Sequence, residues 1–339
     1  MRSKFNRRDF CKTAALAVGA LPHAAPAAAR TLKIGHTGIT WPMFPTGRAP
    51  QGGPPGMGGG PQGGPPGQGA GPQGAAPARR AGPQANPEAI ETIIRDIAGL
   101  GYHGLELFSW QIEGMEEHGG LGPLLEKYKL PLISAYCGCN LSDPRRRKDE
   151  IQQMLRWGGL VKKYGGTIAV IGPNGRGRDF NFNAVKADIV TTLNEVSKAL
   201  ADIGIVGVLH QHTGTTVEFR DEVYAVMEAV DTRYVKFGPD IGQLQKAGVD
   251  PVQVVKDFLP LIEHFHIKDF NGGEHYVGYC PLGQGKVNIP AILDLMEGRK
   301  MAGMTMVELD SSRNMPLTAV ETARVAKEYL QKQGIVFRS

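Results

Sequence analysis

Cysteine is scarce, with four residues in 339, at positions 11, 137, 139 and 280. Cys11 lies in an N-terminal leader, and the remaining three permit at most one bridge, which excludes a disulfide scaffold. Cys137-x-Cys139 is also too small a set for a structural zinc site. Net charge is nearly absent outside the leader. Of the formal +5, residues 1–29 supply +4 through Arg2, Lys4, Arg7, Arg8 and Lys12 against Asp9, leaving 33 basic and 32 acidic residues. Nucleic-acid binding needs a basic face to neutralise phosphates, so composition gives no support to a nucleic-acid partner. A long apolar run is missing too. The stretch Thr13 to Leu21 is shorter than the ~20 residues that span a bilayer, and Gly19, Pro22 and His23 interrupt it. No stable membrane anchor is expected. Finally, no Gly-rich dinucleotide turn follows an early strand, which removes the main argument for an open nucleotide-binding sheet.

What is present at the N-terminus is a leader. Arg7-Arg8-Asp9-Phe10 precedes the short apolar run and the small-residue exit Ala27-Ala28-Ala29. This order is that of a cleavable signal peptide over 1–29, and the arginine pair resembles a twin-arginine signal. The expectation is export of the folded chain by the twin-arginine (Tat) machinery to the periplasm or beyond. Glycine and proline are in excess, at 46 and 24, but 14 and 10 of them fall within residues 47–87. That Gly/Pro/Gln-rich tract has almost nothing to bury, and it reads as a disordered insertion between a first strand and a first helix.

The remainder, residues 30–339, forms a single domain of alternating elements. Apolar runs predict strands at 31–36, 104–108, 130–136, 167–171, 205–210, 234–240, 261–268 and 304–309. Helical periodicity predicts helices at 88–100, 121–129, 148–164, 184–203, 219–230, 250–259, 289–296 and 316–333, the first opened by Asn86 and Pro87. Eight strands and eight helices in strict alternation imply a parallel sheet with helical crossovers. Eight such units in ~250 residues make an α/β protein of the (β/α)8 TIM barrel type.

Chemistry in such a barrel lies at the C-terminal ends of its strands. Five of the eight histidines beyond the leader fall there, at 36, 210, 212, 264 and 266, together with Glu106, Asp240, Lys268, Glu308 and Asp310. Residues two apart share a face of a strand, so His210 pairs with His212, and His264 with His266 and Lys268. Two imidazoles and two carboxylates converging at a barrel mouth suit a divalent metal ion, Mn2+, Zn2+ or Co2+.

The order of motifs is more specific. His210-x-His212-Thr-Gly-Thr is followed by Asp240-Ile-Gly-Gln243 and Ala247-Gly-Val-Asp-Pro251. Then come His264-x-His266-x-Lys268-Asp269, Gly283-x-Gly285-x-Val287 and Glu308-x-Asp310. This series resembles the sugar phosphate isomerase/epimerase family of the xylose isomerase-like barrel superfamily, which also contains inosose dehydratase and endonuclease IV. The resemblance implies a metal held by His210, Asp240, His266 and Glu308, with Glu106, His212 and Lys268 in the pocket. Two positions depart from the ketose epimerases. His210 stands where they usually carry a Glu, and Gln243 where a His is common. The His-x-His form is closer to the inosose dehydratase branch.

The resulting expectation is an enzyme that enolises a sugar or keto-polyol, ending as an isomerase or epimerase, with dehydration as the alternative outcome of the same intermediate. Candidate bases are Glu308, Glu106 and Lys268. Substrate contacts are expected from His36, Trp41, His212, Gln243 and Asp310, with Phe108 and Trp110 as further stacking surfaces. The rival classes are a non-catalytic periplasmic carbohydrate-binding barrel and an endonuclease-type enzyme. A small-molecule sugar or keto-sugar is therefore the expected partner, and an oligomer is compatible with the sequence.

Overall fold

Strands buried on both faces read as continuous apolar runs, and Ile168-Ala-Val-Ile-Gly-Pro173, every residue of it buried, is the clearest case. A computed structural model describes residues 28–41, 85–312 and 315–339 of the chain. The expected leader, but for its last two residues, and nearly all of the Gly/Pro tract lie outside these residues.

The chain begins with β1 (Ile34–Thr37), then α1 (Pro87–Gly99), β2 (Leu105–Phe108), α2 (Ser109–Met115), α3 (Gly122–Tyr128) and β3 (Leu132–Cys139). It continues through α4 (Arg147–Lys163), β4 (Ile168–Pro173), α5 (Phe182–Asp202), β5 (Val206–Leu209), α6 (Arg220–Met227) and β6 (Val235–Phe237). Next come α7 (Ile241–Lys246), α8 (Pro251–Asp257), β7 (Phe265–Ile267) and a hairpin of β8 (Asp269–Phe270) and β9 (Tyr279–Cys280). The last elements are α9 (Ile289–Met296), β10 (Thr305–Val307) and α10 (Ala319–Lys332).

Eight strands form one parallel sheet in the order β6-β5-β4-β3-β2-β1-β10-β7. Its two ends meet through the parallel bridges Phe237 to Ile262 and Asp240 to His266. The sheet therefore closes into a (β/α)8 TIM barrel, as the alternation predicts.

Side-chain alternation divides the core in two. Ile34, Leu105, Leu107, Leu209, Phe265, Ile267 and Val307 face the helices and join the large outer core. Phe108, Tyr136, Ile168, Val170 and Val208 fill the barrel interior with Ile39. The first helix starts as its residues dictate. The Asn86 carboxamide accepts from the Glu88 and Ala89 N–H groups, Pro87 occupies the first turn, and Ile90, Ile93, Ile94 and Ile97 are buried.

Several elements differ from expectation. The strand expected over 234–240 stops at Phe237, because Gly238 and Pro239 follow and proline cannot donate to the ladder; Asp240 instead caps α7, a helix absent from the sequence reading. The strand expected over 261–268 shortens to Phe265–Ile267, since Pro260 sits in a 3-10 turn over Leu259–Leu261. The short helix α2 and the β8–β9 hairpin are also additions.

Candidate active site

The two histidines that face each other across the mouth are set up differently. His210 follows β5 and is buried; its Nδ1–H donates to the Gly238 carbonyl at 2.8 Å, which leaves Nε2 as the free lone pair. Burial is the main cause that lowers its pKa to about 3, so the ring is neutral. A neutral imidazole held by a backbone carbonyl is the usual state of a metal-ligating histidine. Asp240 uses Oδ1 to accept from the Gly242 and Gln243 N–H groups, both at 2.9 Å, and so aims Oδ2 into the barrel.

His266, on β7, is fully buried with its ring 4.4 Å from that of His210. Its Nε2 lies 3.0 Å from Glu106 Oε1 and its Nδ1 lies 2.8 Å from Glu308 Oε2. Burial disfavours charge on this ring, but the two carboxylates outweigh burial and move its pKa well above the ordinary imidazole value. They favour any positive charge at that ring, whether a proton or a metal ion.

Lys268 extends from the same strand face and is wholly buried. Its ammonium lies 3.0 Å from Asp240 Oδ2 and 3.0 Å from Asp310 Oδ2, and it donates to Glu308 Oε1. The Tyr279 ring closes over it at 4.7 Å. Burial opposes its charge, yet Asp240, Asp310 and Glu308 hold its pKa well above the usual lysine value. For Glu308 burial works upward, and Lys268 and His266 bring the carboxyl well below its usual range.

A second layer lies deeper. Glu106, on β2, accepts from Ser134 Oγ at 2.6 Å and from His264 Nε2–H at 3.0 Å, both through Oε2, while Oε1 faces His266. His264 Nδ1 accepts from the Met304 N–H at 3.2 Å, which fixes the proton on Nε2. Burial would raise the Glu106 pKa, but His266 and His264 take it far below the carboxylate range. Both Glu106 oxygens are thus engaged.

The residues fit a divalent cation. His210, Asp240 and His266 each offer one ligating atom, and the three atoms lie within 4.8 Å of one another; Glu308 reaches the same cluster through His266. Asp240 Oδ2 and both His266 nitrogens are buried, their close neighbours among the described residues being the charged groups of Lys268, Glu106 and Glu308. Glu106, Asp240 and Glu308 are buried together around Lys268 and a His266 ring whose positive charge they favour, and buried carboxylates grouped in this way suit an added cation.

Of the other residues singled out from the sequence, His212 and Gln243 meet at the mouth. His212 donates from Nδ1 to the Thr213 carbonyl and accepts from the Gln243 side-chain amide. Gln243 Oε1 accepts from the Thr213 N–H and hydroxyl and from the Tyr279 hydroxyl. His36 and Trp41 lie elsewhere, a departure from the expected substrate contacts. His36 shares the helix-facing side of β1 with Ile34, its ring edge-on to Tyr102 at 4.9 Å and to Trp41 at 5.3 Å. Trp41 donates to Asp96 Oδ2 of α1 at 3.0 Å. On β1 it is Thr37, not His36, that lines a cleft with Glu106, Phe108, Tyr136 and Glu308.

Sequence reasoning missed Ser134, His264 as a partner of Glu106, and Tyr279. A signal for Tyr279 existed in Asp269 and the Gly283-x-Gly285-x-Val287 motif. The Asp269 carboxylate accepts from the N–H groups of Gly283, Gly285 and Val287 at 3.0, 2.9 and 3.1 Å. A Cβ on Gly285 would fall 2.0 Å from Asp269 Oδ1, and Gly283 has φ +85°. This clasp ties down the segment that follows β9, whose Tyr279 covers Lys268.

Among the described residues no helix is long and apolar enough to cross a membrane. Comparison with known proteins finds an inosose dehydratase of Clostridium botulinum (strain Alaska E43 / Type E3), 21% identical over 273 residues, covering 73% of this chain and 90% of the relative. Among solved structures, the IolI protein with a bound zinc atom superposes with TM-score 0.60 and 19% identity over 74% of this chain and 94% of that one. A 3-keto-D-glucoside 4-epimerase from E. coli superposes with TM-score 0.58 and 16% identity, over 74% and 97%. A family model described as xylose isomerase-like TIM barrel matches residues 94–332. The chain belongs to the xylose isomerase-like TIM barrel family.

Proposed function

We propose that the chain is a divalent-metal-dependent enzyme that enolises a sugar or keto-polyol and ends the reaction as an isomerase or epimerase. The carrying observation is that His210, Asp240 and His266 bring one ligating atom each within 4.8 Å of one another, with Glu308 2.8 Å from His266 Nδ1 and Lys268 beside it. These four residues would hold the ion, whether Mn2+, Zn2+ or Co2+, and the ion would supply Lewis acidity to a substrate carbonyl. Glu308 is taken as the base: it borders the cleft as Glu106 does, but it is free of the Ser134 and His264 hydrogen bonds that hold Glu106 in place. Lys268 then offers a proton or a hydrogen bond to the oxygen that gains charge. Glu106 is assigned an orienting part: hydrogen bonds from Ser134 and His264 hold it in the deeper layer, where it aligns His266 rather than moving a proton itself. Gln243, His212 and Asp310 border the substrate, and Gln243 cannot titrate.

One observation favours a second outcome. With His210 in place of a glutamate, Glu308 has no carboxylate partner on β5 for a two-sided exchange, while the Lys268 ammonium is placed to protonate a departing hydroxyl. That arrangement suits dehydration of an inosose or other keto-sugar. The leader's arginine pair supports export by the Tat machinery to the periplasm as the setting.

The test is metal analysis of the purified mature protein, followed by incubation in D2O with sugars, inososes and 3-keto-sugars. Metal-dependent deuterium uptake at carbon is expected, and loss of water from the product would select the dehydratase. A metal-free protein that exchanges no substrate across the panel would leave the carbohydrate-binding barrel as the better reading. Removing the ring with His266→Ala should abolish metal retention.

A further inference from the structure

The cleft beside Glu106 and Glu308 shares Phe108 and Tyr136 with a larger groove of about 890 Å³ that runs outward along α2 and α4. That volume lies toward the upper end of the ~300–1,000 Å³ typical of small-molecule sites, and most of it is remote from the metal-ligating residues. A strip of aromatic rings joins the two spaces. Tyr136 stands edge-on to His210 at 5.8 Å, Phe108 to Tyr136 at 5.4 Å, and Trp110 is stacked with Phe108 at 6.1 Å. Trp157 forms another part of the groove wall, its indole N–H held by Glu113 Oε2 at 2.9 Å. Trp110 and Gln153 line the groove, and their donors Nε1 and Nε2 are buried behind its surface with no hydrogen-bond partner among the described residues.

The charges in the groove indicate what it would take. Arg146 pairs with Glu150 at 3.0 Å and Arg156 with Glu113 at 3.1 Å. Both guanidinium groups therefore already have carboxylate partners, which disfavours a phosphate. Aromatic faces interleaved with amide donors and acceptors are the chemistry of a neutral polyhydroxylated ring, whose C–H face packs on indole while its hydroxyls bond at the edge.

We propose that this groove is a second sugar subsite, so that the substrate is a two-unit glycoside with its reacting ring at the mouth and its second ring on Trp110 and Trp157. The proposal rests on the reading of the mouth as a sugar site. It predicts that the metal-loaded full chain discriminates by the second ring. In calorimetric titrations with methyl glucosides, cellobiose, maltose and trehalose, at least one disaccharide should bind tenfold or more tightly than the matching methyl glucoside. Gln152→Trp, made at an exposed groove position, and Trp110→Ala should each shrink that ratio to within twofold.

No disaccharide advantage, including no binding of any disaccharide, overturns the proposal, as does an advantage that survives both substitutions. Deuterium exchange on free keto-sugars keeps the two readings apart. Exchange without a disaccharide advantage removes the groove and leaves the proposed reaction. A disaccharide advantage erased by Gln152→Trp, with no exchange on any substrate, keeps the groove and removes enolisation.

Discussion

Two histidines at strand ends, His36 on β1 and His266 on β7, are equally buried and live in opposite environments. His36 points toward the helices, between the rings of Tyr102 and Trp41, and donates to its neighbour's carbonyl, Thr37 O, at 2.7 Å. Burial lowers its pKa to about 4, so it is held neutral. His266 points into the barrel between Glu106 and Glu308, and its pKa moves the other way. Residue type and strand position are shared; only the face differs. A histidine in the helix-facing core adds packing with an acid liability, whereas one facing inward joins a charged cluster that can hold an ion.

The largest test of this contrast removes the inward cluster's own cation. Lys268→Met would leave Asp240 and Glu308 buried without it, and breaking a buried pair in this way costs about 3–5 kcal/mol. Denaturant unfolding without added metal should show that loss, and a divalent ion should recover part of it. An unchanged midpoint would contradict the cluster as described.

The helix-facing side makes the next prediction, through pH. Because the folded-state pKa of His36 is depressed, the unfolded chain takes up the proton first. Its contribution is fully present above about pH 6.5 and is lost as pH falls toward 4, an effect of about 3 kcal/mol. His36→Leu should flatten the pH dependence of unfolding in that window by a comparable amount while leaving metal retention intact. If metal is lost with His36, the assignment of this ring to the packing side fails.

Glu106→Gln sharpens the contrast within the barrel. It keeps the shape but weakens the hold on His266, and loss of such an orienting carboxylate typically lowers metal affinity 10–100-fold. Competition with a chelator measures it, and a shift below threefold would rule the orienting part out. The smallest effect is expected at the first helix. Asn86→Ala removes a cap from two N–H groups and should lower stability by about 1 kcal/mol, with no change in metal affinity.

Much of this molecule was legible because local rules and tertiary outcome agree. The eight-fold alternation was readable from apolar runs, and the start of α1 from Asn86-Pro87. The inward set on β7 followed from two-residue spacing, since His264, His266 and Lys268 do share the interior face. The places where reading failed have physical causes. Strand periodicity says which residues share a face but not which face is inside, so His36 and Trp41 were expected at the mouth and lie against α1 and the outer core. Asp240 ends its strand because Pro239 breaks the ladder, and a residue read as a strand end becomes a helix cap with one oxygen left to aim inward. Tyr279 comes over Lys268 only through the β8–β9 hairpin and the Asp269 clasp, contacts that span up to 18 residues.

What the sequence determined by itself was the architecture and the inventory. Composition set a basic N-terminal stretch and a Gly/Pro tract apart from a near-neutral body, periodicity dictated a (β/α)8 barrel, and motif order supplied the candidate residues of the site. Tertiary structure alone decided the roles. Closure of the sheet between β6 and β7 brings Asp240 beside His266, and strand parity turns Glu106 and Glu308 inward and His36 outward. Ring closure and side-chain parity depend on contacts between strands far apart in the chain, and no local run of residues encodes them.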